Sequence, residues 1–328
     1  MLPLLPPALY EGRAGVELFI AEAAAALRSG PAGTEPERPS PPRPAVPASS
    51  PAPTPGELTI PGAQADQISG AAGIGTGHLL LARRALADGR KPESSHHLAV
   101  AAQCARGLLD GRFSMGLEEN ASDKARPGLA ALADGYAHGR AGIGAFLLGY
   151  ACATGDAEAT AATERAFREL AADAPGIIAA AAVQGATRRY MAWCRGLTGI
   201  GSALLEAAAH YHDDALLALA ADCAHAGDAI AARMGLVSQC CGLSGIGELH
   251  VDLATATGDE QHWQAAERIA ALILTRSAGT VRRPGFPDES LTRSGPGWAT
   301  GSAGVLSFIR RLRRRGGPRL WPAVHSGC

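Results

Sequence analysis

The sequence predicts an all-α protein, an α/α toroid of alternating inner and outer helices, and three observations predict it. Apolar residues make up 47% of the chain but aromatics only 5%, so the core rests largely on alanine and leucine, both strong helix formers. A Gly-x-x-Gly unit followed by an apolar stretch recurs six times. Between those stretches lie charged, amphipathic segments with helical spacing.

The copies begin at Gly12, Gly70, Gly139, Gly196, Gly242 and Gly301, a spacing that fits a helical hairpin with its loops. After each motif the chain is apolar nearly all round, as over 145–151 and 203–209, the composition of a helix buried on every side. The helices that follow are amphipathic, most clearly over 157–171 and 260–276. They are entered through Thr154-Gly155-Asp156 and Thr257-Gly258-Asp259, where Asp is a good N-cap. The glycine pairs permit a sharp loop and a close approach of neighbouring helix starts. Every motif therefore falls at one end of the toroid, and side chains just ahead of the glycines converge on the mouth of its cavity.

One domain spanning 1–328 accommodates this pattern. Residues 31–61 interrupt it with eleven of the 22 prolines and read as a solvated, polyproline-leaning linker. Two further irregular stretches, 112–134 and 277–297, join helices. The net charge of −1 offers no basic footprint for nucleic acid. No segment approaches the roughly 18 apolar residues of a membrane span, and the N-terminus lacks the basic region of a signal peptide. Seven scattered cysteines form no disulfide framework and fit a reducing cytoplasm, the expected location.

The chemistry concentrates where two motifs carry cysteine. Cys194 stands two residues before Gly196, and Cys240 two residues before Gly242 with Cys241 directly behind it. Three thiols from two equivalent loops suit a soft metal, with zinc the first candidate. His138 precedes Gly139 directly, as Cys241 precedes Gly242, and Asp66 lies four residues before Gly70. Asp66, His138, Cys194, Cys240 and Cys241 should share one cavity, with helix N-termini favouring thiolates there. The remaining residues of these types read otherwise. His78, His210, His212, His225 and His250 read as surface or hydrogen-bonded histidines, and His96-His97 as the start of an outer helix. Cys104, Cys152 and Cys223 read as core.

The succession Leu9-Tyr10-Glu11-Gly12, Asp66-x-x-x-Gly70, Ala137-His138-Gly139, Trp193-Cys194-x-Gly196 and Cys240-Cys241-Gly242 resembles lanthionine synthetase C-like cyclases over nearly the whole chain. The resemblance implies an α/α toroid of about seven hairpins with zinc at its mouth. It implies Michael addition of a peptide cysteine to dehydroalanine or dehydrobutyrine, giving thioether rings. Residue by residue it carries zinc ligation onto Cys194, Cys240 and Cys241, the three-cysteine variant where most of the family has Cys-His-Gly. Tyr190 and Arg195 stand where the family places Arg and, often, Tyr or His.

On this reading His138 returns a proton to the enolate, while Asp66 orients His138 or accepts the thiol's proton. The implied substrate is a dehydrated lanthipeptide precursor. With no phosphate loop or kinase-like motif present, dehydration falls to a separate kinase/lyase or dehydratase partner. Two alternatives stand beside it: a zinc-dependent thiol alkyltransferase of prenyltransferase type, and an inactive scaffold that binds zinc, thiols or peptides. The few aromatics argue against an isoprenoid funnel in the former.

Overall fold

The computed structural model describes residues 64–68, 70–113, 134–183, 188–280, 283–295, 297–317 and 319. Its helices are α1 (Ala71–Ala87), α2 (Lys91–Leu109), α3 (Arg140–Thr154), α4 (Ala157–Val183), the short α5 (Arg188–Met191), α6 (Leu197–Tyr211), α7 (Asp214–Ala231), α8 (Leu243–Thr257), α9 (Glu260–Thr275) and α10 (Ser302–Arg313). A small antiparallel hairpin, β1 (Ala278–Thr280) with β2 (Arg283–Gly285), pairs Ala278 with Gly285. The fold is all-α, as the composition predicts. The strands fall in the 277–297 stretch that reads as irregular in sequence.

Two layers result. The inner helices α1, α3, α6, α8 and α10 pack each against the next, and α2, α4, α7 and α9 form the outer row. The inner helices α1, α3, α6 and α8 each pair with the outer helix that follows. These four are buried along most of their length, α8 from Leu243 through Val251 without a break. The Gly12 motif and the proline-rich 31–61 segment lie outside the described residues.

The helix boundaries follow the sequence signals. Asp213 and Asp259 cap α7 and α9 with side-chain oxygens on first-turn amides, and Asp156 Oδ1 accepts from Ala159 N at the start of α4. Gly155 and Gly258 end α3 and α8 in the left-handed conformation, with φ of 72° and 74°. One amphipathic segment runs further than its sequence suggests: α4 continues through Pro175 to Val183.

Inner helices begin differently. Each has a leading glycine as extended N-cap with no side-chain cap. The preceding loop folds back and its carbonyls take the first amides, as in Ala71 N to Gln64 O and Leu243 N to Leu236 O. The amides expected to favour thiolates are thus spent partly on the chain's own loop.

The second glycine is explained by what lies behind it. A Cβ at Gly199 would stand 2.0 Å from Trp193 O and 2.6 Å from Tyr136 N, both backbone atoms of site-bearing loops. Gly199→Ala is therefore expected to destabilise by about 3 kcal/mol or more, since backbone cannot yield as a side chain does. Gly176 in α4 has nothing within 4 Å of its Cβ position, and Gly176→Ala should stabilise by about 1 kcal/mol. Urea denaturation of both tests the contrast, and a parent-like midpoint for Gly199→Ala would count against the close-packing argument.

Candidate metal centre

The loops ahead of the inner helices are stitched to one another through the backbone. Gln67 N donates to Ala137 O at 2.9 Å, and Tyr136 N to Trp193 O at 3.1 Å. Ala137 N and His138 N both reach Cys194 O at 3.2 Å. Trp193 N donates to Cys240 O at 2.9 Å, and Cys240 N to Ala299 O at 2.8 Å. Each loop leans on the next, so residues far apart in sequence arrive at one end of the layer.

Three sulfurs meet there. Cys194 Sγ lies 3.5 Å from Cys241 Sγ, and Cys241 Sγ 3.6 Å from Cys240 Sγ. All three donor atoms fall within 4.8 Å of one another, the only such group of three or more among the described residues. Tetrahedral thiolates about 2.3 Å from a zinc ion stand roughly 3.8 Å apart, so the spacing fits zinc with little adjustment. Cys194 is buried and the other two are half-buried. Hydrogen bonds from Cys240 and Cys241, helped by Arg195, hold the Cys194 thiol well below the usual thiol range despite burial. Contact with Cys194 pushes the Cys240 and Cys241 thiols upward, and burial adds to it. The trio thus accepts one negative charge readily, and a second or third calls for a cation.

His138 and Asp66 form the second part of the site. His138 Nδ1 lies 2.9 Å from Asp66 Oδ2, with the His138 side chain 28% exposed and Asp66 11%. Asp66 Oδ1 meanwhile accepts from Ile68 N and Gly70 N, both at 3.1 Å, which fixes the carboxylate. Cys194 O in turn holds the backbone of His138. The structure brings Cys194, Cys240 and Cys241 together as a trio and joins His138 with Asp66 as a pair. Tyr190 is buried in the core, while Arg195 stays half-exposed and adds positive charge near Cys194.

Sequence reasoning names Trp193 only within a motif and misses its aromatic and acidic neighbours. Trp193 stacks on Tyr136 at 5.1 Å and meets Trp298 edge-on at 5.7 Å. Tyr136, Trp193 and Trp298 each stand three residues before a leading glycine, so the repeat itself could have found them. Glu289, whose side chain acts to lower the Cys241 thiol pKa, comes from the aperiodic 277–297 stretch and carries no such signal. Beneath the aromatics, Tyr136 OH donates to Glu206 at 3.3 Å.

Burial raises the Glu206 carboxyl to about 7, against the lowering effects of Arg319 and Tyr136. A carboxyl raised on folding stabilises fully below its ordinary range near 4.5 and loses that contribution as pH climbs through 7. The amount at stake is on the order of 3 kcal/mol. Glu206→Gln should flatten the fall in stability between pH 5 and pH 8, read by urea denaturation at both. A fall as steep as the parent's would assign it to other groups.

Fold and centre together define the class: an all-α, double-layered repeat protein whose inner-helix loops gather three thiols beside a His–Asp pair. The sequence profile of lanthionine synthetase C-like proteins matches residues 51–325, and the chain belongs to that family. A comparison with curated proteins returned no match. Among the described residues, no helix is long and apolar enough to cross a membrane.

Proposed function

We propose that the protein is a zinc-dependent cyclase that adds peptide cysteine thiols to dehydroalanine or dehydrobutyrine. The observation that carries the reading is the cluster of Cys194, Cys240 and Cys241 sulfurs, with Cys194 O bonded to the backbone amide of His138. Zinc bound there would keep the three sulfurs and the incoming peptide thiol as thiolates, with one tetrahedral position left for the substrate.

The rest falls to side chains. The reaction adds S–H across C=C: the sulfur bonds the β-carbon, the π pair moves to the enolate, and the α-carbon gains a proton. One proton leaves the thiol and one reaches carbon, so a single base can do both. His138 suits that task, because Asp66 at its Nδ1 leaves Nε2 for exchange. The contact favours orientation of the imidazole as the role of Asp66. Arg195 adds positive charge near the growing enolate, and Tyr136, Trp193 and Trp298 supply apolar walls.

The substrate on this reading is a dehydrated lanthipeptide precursor, made by a separate kinase/lyase or dehydratase in the cytoplasm. Turnover of such a peptide by the zinc-loaded protein, followed as loss of free thiol, tests the proposal. Bound zinc and peptide with no thiol loss would leave a binding scaffold instead.

A further inference from the structure

Away from the thiols, one inner and two outer helices bring histidines together. His225 and Asp228 lie three residues apart on α7 and so share a face. His250 comes from α8 and His262 from α9. His250 Nδ1 and His262 Nδ1 face each other at 3.0 Å, in residues 0% and 5% exposed. The His225 ring lies nearly parallel to that of His262, centroids 5.5 Å apart, and 6.4 Å from that of His250. His225 and His250, read singly, look like surface or hydrogen-bonded residues, and His262 carries no signal of its own. Their meeting depends on which helices face one another.

The carboxylate gives the cluster direction. Asp228 Oδ1 lies 3.1 Å from His250 Nε2, with Arg268 4.0 Å from its other oxygen. The pair is not aligned as a hydrogen bond, but a carboxylate that near favours the proton on Nε2 by charge and leaves the Nδ1 lone pair facing His262, the arrangement found behind metal-bound histidines. Burial, then His250 and His225, lower the His262 pKa, which favours its neutral form. Two imidazole donors are thus preset and buried. His225 is exposed and stacked on His262, so the three histidines as they stand are not drawn together as the cysteines are, and a turn of the His225 ring is what would supply the third donor from the solvent side.

We infer that His225, His250 and His262 form a second metal site, independent of the cysteines, for a first-row divalent ion that prefers imidazole. Asp228 is its positioning residue. The first hairpin supplies an internal comparison: His78 and His97 also face Nδ1 to Nδ1, at 2.9 Å, but there the carboxylate of Glu93 stands 3.9 Å from His97 Nε2.

Co2+ titrated into the metal-free full chain separates the two sites, because thiolate-bound Co2+ shows a sulfur-to-metal charge-transfer band and imidazole-bound Co2+ does not. The expected result is an equivalent without the sulfur band, beyond any that carries it. His225→Ala should remove that equivalent. Asp228→Asn should weaken it about 10–100-fold, and His97→Gln should leave it unchanged. Both His225→Ala and Asp228→Asn alter residues outside the core, so neither test depends on burying a new group. Absence of a sulfur-free equivalent, or its persistence at full affinity in His225→Ala, would overturn the site, as would its loss in His97→Gln. Loss of the sulfur band alone would bear on the cysteines and not on the histidines.

Discussion

Replacing Cys194 with alanine is expected to strip the protein of its metal and, with it, of turnover. The other two sulfurs come from adjacent residues of one loop, so Cys194 is the only thiol that closes the trio from another repeat. Its loss leaves two donors and a half-open site. Changes behind a metal ligand already cost about 10–100-fold in affinity, so loss of a ligand should cost more than about a hundredfold. The fold should survive, because the loop is held by Cys194 backbone atoms: the amide bonds Cys240 O and the carbonyl accepts from Ala137 and His138. Metal analysis after gel filtration, with Cys104→Ala as a buried control, makes the measurement. Stoichiometric zinc in Cys194→Ala would remove that residue from the site.

The second large effect concerns His138. His138→Asn should keep zinc and fold while slowing cyclisation by about 10²–10⁴-fold, the usual contribution of a positioned acid–base group. Asparagine can still donate to Asp66 but cannot exchange a proton near neutral pH. The loss should therefore appear in single-turnover rates at equal zinc occupancy, not in peptide affinity. Asp66→Asn should slow the reaction less and should also loosen its own loop, because Asp66 Oδ1 holds Ile68 N and Gly70 N. An undiminished rate in His138→Asn would exclude it as the proton donor.

Much of this was legible in the sequence because the repeat places equal positions in equal surroundings. Cys194 and Cys240 share one offset from their glycines, and His138 and Cys241 share another, which suffices to bring them to one end of the helices. The Asp caps of α4, α7 and α9 and the glycine ends of α3 and α8 obey local rules that need no partner. What stayed hidden depends on neighbours. Glu289 arrives from a segment with no period. His225, His250 and His262 sit on three helices whose faces meet only after packing, and Glu206 owes its raised pKa to burial rather than to its sequence context.

The backbone stitching of the loops has a consequence for how such a centre can change over generations. Ala137 and Ala299 occupy the same offset as Cys194 and Cys240, two residues before a leading glycine, and their carbonyls already accept from Gln67 and Cys240. The scaffold presents more equivalent seats than it fills with ligands. A single codon change at a seat could add, remove or exchange a donor while every helix and every loop-to-loop hydrogen bond stays where it is. A thiol at 299, next to Cys240, would supply a fourth sulfur and turn an open centre into a closed one. The chemistry at this end of the protein is therefore open to mutation one residue at a time, at little risk to the architecture that supports it.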